Sequence, residues 1–285
     1  VSLLQSQGEQ LKRSGKEYVW RDGSEKVTVR GNLWFHQYER IGGDTVDFVR
    51  RFYNMDFPQA VNFLLGNNGG TLQRAEPIRR EPPKPFALPP KNENMRRVFA
   101  YLLNRRGIDR DVLYGFVHKG MIYESADYHN AVFVGCDESG TPRHAHKRGT
   151  GSESSYKGNT ESSDPRYSFH WTGRDNTLYL FEAPIDMLSF ISLHKENWRS
   201  HSYAAACCVG DQVLFQTLKL NPTIDTVYLC MDNDAAGQAA NKRISDKLFI
   251  QGIKHEILVP EFKDWNEDLL YDEQEEEEIC QTLQL

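Results

Sequence analysis

Two short hydrophobic runs in the C-terminal half end on carboxylates. Glu182 follows Leu178-Tyr179-Leu180-Phe181 at once, and Asp232-Asn233-Asp234 follows Thr226-Val227-Tyr228-Leu229-Cys230-Met231. If both runs are strands of one sheet, three acids meet at a single edge, which isolated solvent-facing acids seldom do. The chemistry such a group serves is the holding of Mg2+, a hard cation that takes a few carboxylates, keeps several waters and touches phosphate oxygens. Pro184-Ile185-Asp186 adds an acid one helical turn beyond Glu182, and Lys263-Asp264-Trp265-Asn266-Glu267-Asp268 adds more past the last hydrophobic run. The competing use of Asp232 and Asp234 is to cap a helix that starts at Ala235, a position where Asp is favoured. A cap needs one Asp, so the pair together with Glu182 favours metal.

Positioning these acids requires a particular scaffold. The pattern predicts strands over 178–181, 202–209, 226–231 and 255–259, with helices over 184–194, 211–220 and 235–250 between them. Buried strands alternating with helices make a parallel sheet covered on both faces. In such sheets the working residues lie at the carboxyl ends of the strands.

The chain upstream reads differently. Residues 1–66 form a small α+β unit, with strand-like runs at 26–29 and 32–35, a helix capped by Gly42-Gly43-Asp44 and a second helix opened by Pro58. Six prolines between Pro77 and Pro90 mark an extended linker and a domain boundary. Asn92 is placed to cap a helix that carries Met95, Val98, Phe99, Leu102 and Leu103 and stops at Gly107; a second helix starts at Arg110. Ala131-Val132-Phe133-Val134-Gly135 is a strand followed by a turn at 137–140. The segment 143–174 is rich in His, Lys, Arg, Ser, Tyr and Asn and reads as loop-heavy, either plain surface or a binding surface.

Composition removes other classes. With 285 residues, 39% hydrophobic and 26% charged, the chain is globular and long enough for two or three domains. No apolar run reaches the ~18 residues of a membrane span, and Val1-Ser2-Leu3-Leu4-Gln5 lacks the features of a signal peptide, so a cytoplasmic protein is expected. The chain opens on Val rather than Met, so a short N-terminal piece is expected to precede it. Five cysteines, with none in a C-x-x-C pair, speak against a disulfide framework or a zinc ribbon and read as reduced, mostly buried thiols. The net charge of −6 is misleading, because residues 261–285 hold ten acids and one Lys. Residues 71–110 hold ten bases against four acids, a local excess that either faces phosphates or is solvated surface.

Phe181-Glu182-Ala183-Pro184-Ile185-Asp186, Met231-Asp232-Asn233-Asp234-Ala235-Ala236-Gly237 and Lys263-Asp264 resemble the motifs of the Toprim domain of bacterial primases, topoisomerases and some nucleases. The resemblance implies an α/β fold: a Toprim domain (176–270) with a parallel sheet flanked by helices, followed by an acidic tail (271–285). It implies Glu182 as general acid or base, and Asp232, Asp234, Asp186 and Asp264 as holders of Mg2+ or Mn2+. Asn266 stands where the last motif often has a second Asp, with Glu267 or Asp268 as substitutes. Residues 130–171 resemble the primase region that precedes Toprim, which implies an α+β nucleic-acid- and nucleotide-binding region (92–175) in which Arg143, Lys147, Arg148, Tyr156, Lys157 and Asn159 contact template and nucleotide. Residues 1–70 resemble the primase zinc-binding domain without its Cys ligands, only His36 lying near a ligand position; no zinc is expected, and Trp20, Trp34, Phe35, Phe48 and Phe52 fill in for it. A Pro-rich linker (71–91) joins the two. The whole resembles primase-like Toprim proteins of Gram-positive mobile elements. The implied activity is Mg2+-dependent primer synthesis on single-stranded DNA from nucleoside triphosphates, with a replicative helicase or a relaxase as partner and no membrane. The alternatives are a phosphodiester-cleaving Toprim enzyme and an inactive DNA-binding accessory protein.

Overall fold

The computed structural model describes residues 1–22, 25–37, 41–66, 84–152, 154, 156–207 and 210–272. They divide into two compact units, Val1–Arg80 and Glu81–Leu285. The acidic tail from 273, residues 71–83 of the expected linker, and Cys208 and Cys280 lie outside the described residues.

In the first unit, helix α1 (Ser2–Ser6) precedes a five-stranded antiparallel meander of β1 (Leu11–Ser14), β2 (Glu17–Asp22), β3 (Glu25–Arg30), β4 (Leu33–His36) and β5 (Ile41–Gly43). Helices α2 (Thr45–Phe52) and α3 (Phe57–Leu65) follow. Both start at capping boxes: the Asp44 carboxylate accepts from the Val46 and Asp47 amides, and Asp56 and Gln59 bond reciprocally. Side chains alternate across β4, so Trp34 and His36 point inward while Leu33 and Phe35 point out. Trp20, Trp34, Phe48 and Phe52 pack with ring centroids 4.5–5.9 Å apart. Phe35, expected among them, is 42% exposed, because the strand period puts it on the other face.

The second unit opens with residues 84–91, part of the expected linker, laid against a sheet: Phe86 and Leu88 pack on its apolar face and the Tyr123 hydroxyl donates to the Pro89 carbonyl. Helix α4 (Arg96–Phe99) continues into a π-helical stretch, Ala100–Arg105. Asn92 does not cap it. Its amide donates to Glu124 and the Asn94 carbonyl, while the buried Glu124 carboxylate accepts from the Arg97 and Val98 amides. The cap therefore comes from a residue 26 positions beyond Val98, which no local pattern reveals. Helix α5 (Arg110–His118) is capped by Asp109.

A four-stranded antiparallel sheet follows, in the order β6 (Ile122–Glu124), β7 (Ala131–Cys136), β8 (Pro142–Arg148), β9 (Lys157–Asn159). Strand β8 occupies a segment read as loop-heavy; cross-strand pairing with β7 overrides its poor β-propensity. Ala131 and Phe133 on one face join the main core, whereas Val132, Val134 and Ala145 on the other join Tyr123, Phe86 and Leu88. His144 is fully buried, and neither ring nitrogen has a hydrogen-bond partner among the described residues. Burial, with the neighbouring His146 assisting, pushes it down to about 4. The unfolded chain takes up this proton below pH ~6.5 and the folded one only below about 4, so stability falls as pH drops through that window. His144→Phe is expected to remove about 2 kcal/mol of the loss between pH 7 and 4.5, read as the pH dependence of urea midpoints; equal pH dependence in both proteins would refute it.

The last sheet runs β10 (His170–Trp171), β12 (Ser202–Ala205), β11 (Thr177–Phe181), β13 (Thr226–Cys230), β14 (Lys254–Ile257). Strands β11 to β14 are parallel; β10 is antiparallel to β12, so the sheet is not wholly parallel as the sequence pattern implied. Helix α6 (Pro184–Leu193) covers one face, and α7 (Gln212–Leu220) and α8 (Ala235–Ile250) cover the other. The nearly all-buried α6 carries Ser189 and Ser192, whose hydroxyls bond back to the carbonyls of Ile185 and Leu188. Helix α9 covers 265–272. Phe133, Phe181, Leu188 and Trp265 belong to one core, so the two sheets of this unit are packed as one body. Among the described residues no helix is long and apolar enough to cross a membrane.

Candidate active site

Because β11 and β13 are parallel, with Phe181 opposite Cys230, the acids that follow them emerge side by side. Glu182, Asp186, Asp232 and Asp264 line one cleft of about 170 Å3. Asp186 reaches it from the first turn of α6 and Asp264 from the cap of α9, where its carboxylate accepts from the Asn266 and Glu267 amides. Gly237 in α8 fixes Asp232 from behind: a Cβ there would lie 2.0 Å from the Asp232 carbonyl oxygen, so helix and loop meet this closely only at glycine.

Four bases, Arg106, Arg148, Lys157 and Lys263, line the same cleft. Arg106 donates to the Tyr101 hydroxyl and to the Asn266 side-chain oxygen at 2.8 Å. His146, oriented by Asn159 at 2.7 Å, lines it too.

Burial and mutual repulsion shape the acids. Burial first, then Glu182, Asp264 and Asp234, pushes Asp232 up to about 7. Burial raises Glu182 as well, with Lys157 opposing and Asp234 adding, and holds Asp186 far above the usual carboxylate range. One Asp232 side-chain oxygen is buried without a hydrogen-bond partner among the described residues. No three His, Cys, Asp or Glu side chains among the described residues stand as a ready-made metal cage. Mg2+ does not need one, since one or two carboxylates with waters and substrate phosphates suffice. The all-oxygen donor set and the orphaned Asp232 oxygen fit a hard cation.

The sequence-derived residues separate into groups. Glu182, Asp186, Asp232, Asp264, Arg148 and Lys157 converge on the cleft. Asp234 does not line it; its carboxylate caps α8 by accepting from the Ala236 and Gly237 amides, the competing use that the sequence left open. Glu267 and Asp268 do not replace the absent Asp: they accept from the backbone of residues 261–263. Asn266 is buried and donates to the Arg106 carbonyl and Ser189 hydroxyl, a clamp on Arg106 in place of a ligand. Asn159 is a bracket, bonded to His146 and the Cys207 carbonyl. Arg143 is paired with Asp137 at 2.7 Å on the β7–β8 turn, away from the cleft. Lys147 and Tyr156 line another cavity. Sequence reasoning did not single out Arg106 or His146, and it quoted Lys263 only as part of the Lys263-Asp264 motif, without a role; the basic excess of 71–110 was the one signal for Arg106.

Residues 179–269 match the family model described as Toprim-like, and residues 100–175 match one described as a protein of unknown function, DUF3991. The chain thus carries a Toprim-like domain C-terminal to an α+β region. It is 25% identical over 232 residues to the uncharacterized Bacillus anthracis protein pXO2-78, covering 76% of this chain and 67% of that one. Similar solved structures include the primase fragment of the bacteriophage T7 primase-helicase protein (TM-score 0.45, 20% identity, 60% of this chain and 69% of that one). The zinc-binding and RNA polymerase domains of the Aquifex aeolicus primase are another (TM-score 0.42, 15% identity, 96% of this chain and 80% of that one).

Proposed function

We propose that the chain is a primase-type nucleotidyltransferase that builds short primers on single-stranded DNA from nucleoside triphosphates. The observation that carries this reading is one cleft lined both by four acids, Glu182, Asp186, Asp232 and Asp264, and by four bases, Arg106, Arg148, Lys157 and Lys263. Acids alone would serve a metal, and bases alone would serve any polyanion. Together in one cleft, they suit a metal-linked phosphate.

Asp232 and Asp264, with Asp186 behind them, would hold Mg2+, which when bound polarises phosphate oxygens and screens developing charge. The four bases hold phosphates of the triphosphate and of the template. Glu182, whose carboxyl is raised by burial, takes the proton of the 3′-hydroxyl as that oxygen attacks the α-phosphorus and pyrophosphate leaves. A mobile-element setting agrees with the pXO2 designation of the Bacillus anthracis relative, and a helicase or relaxase is the partner such a setting would supply.

The test is incubation with ribonucleoside triphosphates, a single-stranded template and Mg2+ or Mn2+, with products resolved by length. Short template-dependent RNA is the expected product. Template cleavage without synthesis would replace this reading with a nuclease, and strand binding without either would leave an accessory protein.

A further inference from the structure

On the face of the four-stranded sheet that carries Lys147 and Tyr156, a second cavity of about 640 Å3 opens, lined also by Arg97, Tyr128, His129 and Asn130. We infer that this cavity binds one unpaired nucleotide, with its base stacked on Tyr128 and Tyr156, its edge read by Asn130 and its phosphates held by Arg97 and Lys147. The inference rests on the reading that the chain works on nucleic acid.

Asn130 is the most telling residue. It is 7% exposed, its backbone amide donates to the Ser125 hydroxyl, and it lines the cavity. An amide offers donors and an acceptor together, the combination that pairs with a base edge.

Tyr128 is held in place by its neighbours. Tyr128 and His129 both have left-handed backbone, with φ of 61° and 52°. The conformation is pinned where the His129 ring meets Glu124 at 2.7 Å and the Thr150 hydroxyl donates to the His129 carbonyl at 2.8 Å. The outcome is a tyrosine 88% exposed at the rim of a cavity, an apolar ring presented to solvent at a backbone cost. Tyr156, 46% exposed, is the second ring, with the Lys147 ammonium 5.7 Å from its centroid. Arg97 and Lys147 have no carboxylate partner among the described residues, so their charge is available to phosphate.

The sheet joins this cavity to the cleft. Lys147 and Arg148 are consecutive in β8 and line the cavity and the cleft respectively; Tyr156, just before the edge strand β9, and Lys157, its first residue, repeat the pattern. A single strand bent around that edge would meet both sites.

The test measures binding of fluorescent ten-nucleotide single strands and, separately, of a free nucleoside triphosphate to the full chain. Tyr128→Leu with Lys147→Ala is expected to weaken strand binding roughly 10-fold or more. Arg97→Ala with Lys147→Ala should lower the salt slope by about 1.4, the release of two phosphates' counterions. Tyr128→Phe should restore binding, since it keeps the ring. Loss confined to the free triphosphate would assign the cavity to a mononucleotide instead of a strand. Unchanged affinity and salt slope for both probes, in variants whose melting matches the wild type, would overturn the inference. If the wild type makes no primers but strand binding still depends on Tyr128 and Lys147, the primase reading falls and this site stands.

Discussion

Glu182→Gln is expected to cut nucleotidyl transfer by roughly 10²–10⁴-fold while leaving strand and triphosphate affinity within about two-fold of the wild type. The amide keeps the shape of the carboxyl at the end of β11 but cannot accept a proton. Burial already raises Glu182, which brings a carboxyl nearer the pH at which a general base works best. The phosphate-holding groups, Arg106, Arg148, Lys157 and Lys263, stay in place, so binding and chemistry separate. Steady-state synthesis on a fixed template, with affinities measured in parallel, reads both quantities. Wild-type turnover in Glu182→Gln would remove Glu182 from proton transfer.

Asp232→Asn is expected to lower activity at least 100-fold and, without metal, to raise stability. The sign follows from the direction of the shift. Asp232 stands at about 7 in the folded protein against an ordinary value of 3.8, so the folded state binds this proton more tightly than the unfolded state. The stabilisation that the proton gives is fully present below pH ~4 and is lost as pH rises through about 7. Metal-free Asp232→Asn should therefore exceed the wild type by on the order of 2 kcal/mol at pH 8, with solvent screening allowed for, and the gap should close as pH falls toward 4. Mg2+ should raise the wild-type Tm and leave the variant unmoved. Calorimetry with chelator and with Mg2+, at pH 8 and pH 5, reads all four values. An equal Mg2+ response in both proteins would take Asp232 out of the metal site.

The Toprim-like half was legible because its signals are local. Buried strands of Leu178–Phe181 and Thr226–Cys230 announce themselves by composition, and the acids behind them follow at fixed spacing. Strand positions alone could not tell which acid faces the cleft. Asp234 is spent on the α8 amides and Asn266 on Arg106, choices made by helix geometry and by a partner 160 residues away. The α+β region was read less well for the same reason. Strand β8 reads Pro-Arg-His-Ala-His-Lys-Arg, with Ala145 its one aliphatic residue besides Pro142, and only pairing with β7 makes it a strand. Glu124 as the cap of α4 is likewise a tertiary fact, invisible to any window of a few residues, whereas Phe35 on the outer face of β4 follows from the two-residue period once Trp34 is inside.

Gly237 touches no proposed substrate, yet the position of a carboxylate depends on it. Every amino-acid replacement reachable by one base change in a glycine codon installs a Cβ, and at this position any Cβ meets the Asp232 carbonyl oxygen at 2.0 Å. No such replacement at 237 can leave the Asp232 backbone where it is, so a codon that specifies no acid sets where one of them stands.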